Sequence, residues 1–307
     1  MRTVYLGTSE FAVTVLERLA ASEHRPALVV TRPDRPKGRG RRVGPPPVAE
    51  AARALGIDLI QPESVNSSEA LERIAAVSPD VVCICAFGAL IKDPLLSDYE
   101  MLNVHPSLLP RWRGAAPIER AIEAGDTETG VSIMRPTAEL DAGPICLQRA
   151  EPIGPDDDYG TLSARLAALA GELLVEALDS RPEFKEQPDE GVTYADKIVA
   201  DDRRLDPGRP PEELERRVRA LSPHVGAWVE LPDGRRLGVR RARAAPAGPE
   251  PGELAALDGR LLYGAAGGAL ELLEVLPPGR RPMEASAYLR GHAAELDRGS
   301  GHNSAGG

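Results

Sequence analysis

The sequence predicts an α/β protein in two parts: a Rossmann-like N-terminal domain with a doubly wound, mostly parallel sheet, and a small C-terminal β-barrel. Three observations predict it. The chain has 307 residues, more than the roughly 100–200 of an ordinary single domain. Its first half alternates short apolar runs with helical periodicity, a βαβ rhythm. Beyond Leu205 the pattern changes to brief alternating segments separated by turn signals, as a small barrel requires.

Strands are expected at residues 3–6, 27–31, 80–86 and 101–105, each a β-rich or apolar run ending near Gly, Pro or Asp. Between them, Phe11, Val15 and Leu19 recur every four residues, and Asn66 with Glu69 makes a capping pair ahead of Leu71, Ile74 and Ala75. A long helix over 161–178 rests on Leu162, Leu166, Leu169 and Leu173, after which the chain turns polar. The expected division is a first domain over 1–187, a linker over 188–204, the barrel over 205–298 and a disordered tail over 299–307. Within the barrel region a short helix is expected at 211–221, then strands at 227–231, 236–241, 259–264 and 269–275, with Pro232-Asp233-Gly234 as one turn.

Doubly wound sheets bind ligands beyond the carboxyl ends of their strands. The first such end reads Gly7-Thr8-Ser9-Glu10-Phe11 and lacks the spaced glycines of a dinucleotide fingerprint. It reads as a tight strand-to-helix turn, which weighs against a nicotinamide enzyme.

Hydrophobic residues at 42% and charged residues at 27% are ordinary for a globular chain, and a formal charge of −10 argues against coating nucleic acid over the whole surface. A local basic patch is compatible with it. Cys83 and Cys85 stand two apart in an apolar run, a spacing for one strand face rather than a zinc or redox site, so all three cysteines read as structural thiols in a reducing compartment. No signal-peptide run follows Met1 and Arg2, and no stretch is long and apolar enough to span a bilayer; a soluble, cytoplasmic protein without a membrane partner is expected.

The strongest chemical signal is LNVHPSLLPRWRGAAPIERAI, residues 102–122. On a strand, Asn103 and His105 share a face. An amide donor beside an imidazole is what acyl transfer to an amine needs: one group for a developing oxyanion, another to move protons near neutral pH. The amine acceptor itself needs no strong base, because an α-amino group has a pKa of about 7.7–8.0. By itself Asn-x-His more often satisfies polar groups at a strand end, and Asp141 before Ala142-Gly143 more often makes a turn. A second constellation, Arg32 to Arg42, packs five arginines and a lysine among Pro and Gly in an acidic chain. Gly and Pro exclude a regular helix there, and an extended arm tracking phosphates competes evenly with a solvated loop.

Asn103-Val104-His105-Pro106-Ser107-Leu108-Leu109-Pro110, with Asp141 in Leu140-Asp141-Ala142-Gly143, resembles the signature of folate-dependent formyltransferases. Arg111-Trp112-Arg113-Gly114-Ala115-Ala116-Pro117-Ile118 and Asp126-Thr127-Glu128-Thr129-Gly130-Val131 narrow the resemblance to the methionyl-tRNA formyltransferase family, over residues 7–205 and more loosely into an OB-like barrel. The resemblance implies transfer of the formyl group of 10-formyltetrahydrofolate to the α-amino group of methionine on initiator tRNA, catalysed by Asn103, His105 and Asp141. It also implies that Ser107, Leu108, Leu109 and Pro110 line the folate site, with Ala86, Phe87, Gly88 and the loop 138–143 walling the pterin pocket. Arg35, Lys37, Arg39, Arg41 and Arg42 would meet the tRNA acceptor stem, with Arg39 in the place of the family's key arginine. No metal and a monomer are expected. The family often has Gly or Ala where Pro106 stands and Tyr where Phe87 stands, changes that remove no catalytic group.

Two other readings compete. A small-molecule formyltransferase, for a purine intermediate or an amino sugar, would need neither the basic loop nor the appended barrel; a catalytically silent RNA-binding protein would not need Asn103, His105 and Asp141 together. In the barrel, Arg235, Arg236, Arg240, Arg241 and Arg243 read as phosphate contacts, Trp228 as core, and His24, His224, His292 and His302 as residues without recognisable partners.

Overall fold

The computed structural model describes residues 1–37, 42–231 and 233–299, with Lys37, Arg42 and residues 293–299 described by their backbone alone. Arg39, Arg41, Pro232, His302 and residues 300–307 of the expected tail therefore lie outside the described residues. The chain forms two compact units. The first takes Met1–Pro117, Glu128–Pro152 and Ser163–Asp196; the second takes Ile118–Thr127, Ile153–Leu162 and the chain from Lys197 onward. The two short excursions into the second unit have no counterpart in the sequence reading.

The first unit opens with β1 (Thr3–Gly7), α1 (Glu10–Ala20), β2 (Pro26–Val30), the short strands β3 (Arg35–Lys37) and β4 (Arg42–Gly44), α2 (Pro47–Leu55) and β5 (Leu59–Ile60). It continues through α3 (Ser68–Ala76), β6 (Val81–Cys85), α4 (Leu95–Asp98), β7 (Met101–His105) and β8 (Arg113–Gly114). After α5 (Pro117–Ala124), most of which belongs to the second unit, come β9 (Glu128–Met134), β10 (Ile145–Pro152), α6 (Tyr159–Ser180) and β11 (Tyr194–Ala195). The four expected strands form within a residue of their expected ends.

Seven strands make one sheet in the order β10-β9-β7-β6-β1-β2-β5. The pairings β1–β2, β1–β6, β2–β5 and β6–β7 are parallel, whereas β9 runs antiparallel to β7 and β10 to β9. The chain thus starts in the middle of the sheet and is wound outward in both directions. Side chains alternate faces with a period of two. Val4, Leu6, Leu28, Val30, Val82 and Ile84 pack on one side with Ile74 of α3. On the other side Tyr5 reaches α1, its hydroxyl donating to the Ala12 carbonyl at 2.6 Å.

Local chemistry fixes the helices. Ser9 caps α1 by accepting from the Ala12 N–H, Glu10 and Arg18 complement the helix dipole at its two ends, and Phe11, Val15, Leu16 and Leu19 are buried. Each fully buried aliphatic or aromatic side chain contributes about 1.5–3 kcal/mol. Gly7 has a packing role: a Cβ there would stand 2.7 Å from the Tyr5 ring and 3.1 Å from the Cys85 carbonyl oxygen. The cap of α3 differs from the expected pair, because Ser67 accepts from the Ala70 N–H. Asn66 is spent on a loop instead, donating to the Leu90 carbonyl and accepting from the Lys92 N–H.

The second unit holds α7 (Pro211–Leu221), β12 (Ala227–Glu230), β13 (Arg236–Ala245), β14 (Leu254–Leu257), β15 (Arg260–Ala265), β16 (Gly268–Leu276), β17 (Met283–Glu284) and α8 (Ala285–Gly299). It is an antiparallel sheet in the order β12-β13-β16-β15-β14, with β17 on β16. Leu214, Val218 and Leu221 of α7 pack with Val229, Leu237, Val239, Leu261, Leu270 and Leu272 of the strands in one core. Trp228 is only half-buried, with the Arg236 guanidinium 4.2 Å over its ring, so it is a stacked surface residue rather than core. No described helix is long and apolar enough to cross a membrane.

Glu271 crosslinks three strands of this sheet. Its Oε2 accepts from Arg260 at 2.5 Å and from Arg243 at 2.7 Å, and the Arg260 hydrogen bond leads the effects that hold its carboxyl below the ordinary glutamate range. A depressed folded-state pKa stabilises above the unfolded value and is lost as pH falls through the folded one. Glu271→Gln should therefore lower the urea midpoint at pH 7, and the difference from wild type should close below about pH 4. A gap that stays constant from pH 7 to pH 3 would assign the loss to packing alone.

Candidate active site

The strand order reverses between β1 and β6, the topological switch point at whose carboxyl edge open α/β sheets bind ligands. The ends of β1 and β6 are tied there by Thr8, whose hydroxyl donates to the Phe87 carbonyl at 2.9 Å. β7 lies beside β6, with Ile84 opposite Asn103 and Cys85 opposite Val104, so Asn103 and His105 reach the same edge.

Asn103 is half-buried and faces Met134 of β9, with its Nδ2 3.5 Å from the Met134 Sδ. A thioether is a weak acceptor, and the amide's other N–H has no partner among the described residues. His105 is 4% exposed, and its Nε2 lies 2.8 Å from the Trp112 carbonyl oxygen. Because a carbonyl only accepts, Nε2 carries a hydrogen in both charge states, and the proton that comes and goes sits on Nδ1. Nδ1 faces Asp141 Oδ2 at 3.6 Å, within ion-pair reach yet longer than a hydrogen bond. That Oδ2 also accepts the Gly114 N–H at 2.9 Å.

Backbone strain concentrates around this group. Ala86, Trp112 and Asp141 adopt φ of 44°, 64° and 49°, half of the six non-glycine residues with positive φ among those described. Such conformations cost on the order of 1–3 kcal/mol each and persist where the surroundings over-determine them. Gly114 is needed for its φ of 124° and because a Cβ would stand 2.7 Å from the Ala195 carbonyl oxygen.

The remaining expected residues divide. Ala86 and Gly88 are exposed at the carboxyl end of β6, while Phe87 is buried in the core. Ser107 and Leu109 are buried in the turn after β7: the Ser107 hydroxyl donates to the Arg111 carbonyl at 2.6 Å, and the Leu109 N–H donates to Ser132 at 3.1 Å. Leu108 and Pro110 are half-buried, and Leu140 of the 138–143 loop is 63% exposed. Of the basic constellation, β3 and β4 form an antiparallel ribbon that pairs Arg35 with Gly44 and Lys37 with Arg42; Arg35 is exposed.

Several residues have partners that the sequence did not reveal. His24 Nε2 lies 2.7 Å from Asp179, His224 pairs with Glu119 at 3.0 Å and stacks on Tyr159, and His292 stacks on Tyr288. The second unit's arginines are also engaged: Arg235 with Asp233, Arg236 with Trp228, Arg240 with the Pro223 carbonyl, Arg241 with Glu274 and Glu284, Arg243 with Glu271. Burial pushes the Cys83 and Cys85 thiols up to about 12 and Cys146 to about 11, which keeps them protonated and unreactive near neutral pH. Two residues that the sequence reading did not single out, Gln187 and Thr193, hold the site together with Arg113 and Gly114 of the quoted motif, through main-chain atoms and long-range pairs that sequence spacing does not record.

An amide donor, an imidazole and a facing carboxylate stand together at the carboxyl edge of a doubly wound sheet, a set of groups suited to group transfer at a carbonyl carbon. The Formyl transferase family model matches residues 1–178, and the model of the Formyl transferase C-terminal domain matches residues 197–293. Methionyl-tRNA formyltransferase from Methylococcus capsulatus is 44% identical over 301 residues, 95% of this chain and 97% of that protein; the enzyme of the same name from Halorhodospira halophila is 44% identical over 299 residues, 94% and 96%. The solved structure of HypX from Aquifex aeolicus in complex with tetrahydrofolic acid shares the fold, with a TM-score of 0.65 at 20% identity, over 96% of this chain and 48% of that one. This chain thus spans about half the length of HypX. It belongs to the folate-dependent formyl transferases, in the methionyl-tRNA formyltransferase family.

Proposed function

We propose that this chain transfers the formyl group of 10-formyltetrahydrofolate to the α-amino group of methionine on initiator tRNA, with Asn103, His105 and Asp141 as its catalytic residues. The observation that carries the reading is His105 Nδ1 facing Asp141 Oδ2 at 3.6 Å on the strand face it shares with Asn103. The folate co-substrate, when bound, supplies an electrophilic formyl carbon. Fit to its flat heterocycle is supported by Ala86 and Gly88, exposed in left-handed conformations beside the catalytic strand, with nothing within 4 Å of where a Gly88 Cβ would stand. Asn103 offers an N–H to negative charge growing on a carbonyl oxygen. His105 holds or releases its proton at Nδ1, the nitrogen that the Asp141 carboxylate faces at 3.6 Å.

The basic ribbon, with Arg35 exposed on it, favours a tRNA acceptor over a small amine. The deciding assay offers 10-formyltetrahydrofolate with charged initiator tRNA, free methionine or a nucleotide-linked amino sugar. Formylation of the charged tRNA alone is expected; equal use of a small amine would return the small-molecule reading. Arg39→Ala, Arg41→Ala and Arg42→Ala together should weaken tRNA binding and make log K less steep in log salt, by up to about 0.9 for each phosphate no longer neutralised, on a duplex DNA scale. Affinity and slope matching wild type would reduce the ribbon to a solvated face. Folate binding should be unchanged in that variant.

A further inference from the structure

We propose that Gln187, in the chain between α6 and β11, is a positioning residue for formyl transfer: it holds Asp141 in the orientation that faces His105. The proposal rests on the catalytic reading of Asp141 above. Gln187 Nε2 lies 2.7 Å from the Asp141 carbonyl oxygen and 2.8 Å from that of Gly143, while its Oε1 accepts from Arg113 Nε and Nη2 at 3.0 and 2.9 Å. Carbonyls only accept and a guanidinium only donates, so the chemistry of the partners fixes which way the amide points.

Asp141 is therefore gripped twice. Its carboxylate accepts from Gly114, its carbonyl from Gln187, and Gln187 is itself held by Arg113, the neighbour of Gly114 on β8. Arg113 is 8% exposed, which makes this a rigid anchor. The backbone of β8 is fastened in turn by the segment after Gln187: the Arg113 N–H donates to the Thr193 carbonyl at 2.9 Å, and the Trp112 N–H donates to the Thr193 hydroxyl at 2.9 Å. Trp112 is the residue whose carbonyl fixes His105. One stretch of chain thus secures both members of the pair, and Asp141, at a φ of 49°, needs such outside support to stay in place.

The test uses the full chain with saturating 10-formyltetrahydrofolate and charged initiator tRNA, and reads the single-turnover rate per folded enzyme. Gln187→Glu keeps the shape and the acceptor for Arg113 but sets a carboxylate oxygen against two carbonyls. A loss of roughly 10–100-fold is expected, since misplacement by about 1 Å costs near 10²-fold. Any fall in the thermal midpoint is taken out by counting folded enzyme, and folate affinity should fall less than the rate, because only the Asp141–Gly143 end of the 138–143 loop is released. Gln187→Leu should lose rate to a similar degree, and Gln187→Glu combined with Asp141→Asn should be no slower than Asp141→Asn alone, as for two residues acting through one group. A wild-type rate per folded molecule in Gln187→Glu, or additive losses in the double variant, would overturn the proposal while leaving Asp141 in the mechanism. If Asp141→Asn itself turns over normally, the catalytic reading of Asp141 fails and the positioning role goes with it.

Discussion

Replacing His105 by alanine is expected to slow formyl transfer by about 10²–10⁴-fold, the usual contribution of a positioned acid or base. The geometry sharpens the test. Because Nε2 is committed to the Trp112 carbonyl at 2.8 Å, alanine removes both the exchangeable proton on Nδ1 and a structural hydrogen bond. The second loss costs about 1 kcal/mol of stability. His105→Gln separates the two, since its amide can still donate to Trp112 but cannot titrate. Both variants should be equally slow in single turnover, with folate affinity changed far less. A glutamine variant within a few-fold of wild type would reduce His105 to a scaffold for the turn at Trp112.

Asn103→Ala is expected to cost about 2.7–4 kcal/mol of transition-state stabilisation, the typical loss of one donor to a developing oxyanion. Its free N–H and its register beside His105 on β7 are the reasons. Asn103→Asp should be no better than alanine, because a carboxylate accepts hydrogen bonds and would add a negative charge where negative charge grows. The decisive number is kcat at saturating folate and tRNA. Near-normal turnover of Asn103→Asp would mean that the amide does not donate to the reacting oxygen.

Much of this arrangement is legible in the chain itself. Period-two apolar runs at β1, β2, β6 and β7, and the four-residue spacing of Phe11, Val15 and Leu19, follow from local geometry that any strand or helix must obey. The Asn103 and His105 pair is visible for the same reason, since residues two apart on a strand share a face. β9 and β10 escape a sequence reading, because they pair antiparallel at the sheet edge, where position is set by partners distant in the chain. The cap of α3 turns on a choice between adjacent Asn66 and Ser67, which a loop contact to Leu90 decides.

The sequence by itself determined the fold class, the family and the identity of three chemical groups, because strand and helix periods and a long ordered motif are carried by neighbouring residues. Tertiary structure alone decided how those groups are placed toward one another. That the nitrogen of His105 facing Asp141 is Nδ1 follows from a carbonyl seven residues away, on a strained turn at Trp112, which takes Nε2. Asp141 faces that nitrogen, rather than merely closing a turn, because Gly114 and Gln187 hold it there from 27 and 46 residues away. Hydrogen bonds between such distant main-chain and side-chain atoms depend on how the backbone closes in space, and no local pattern of residue types records that.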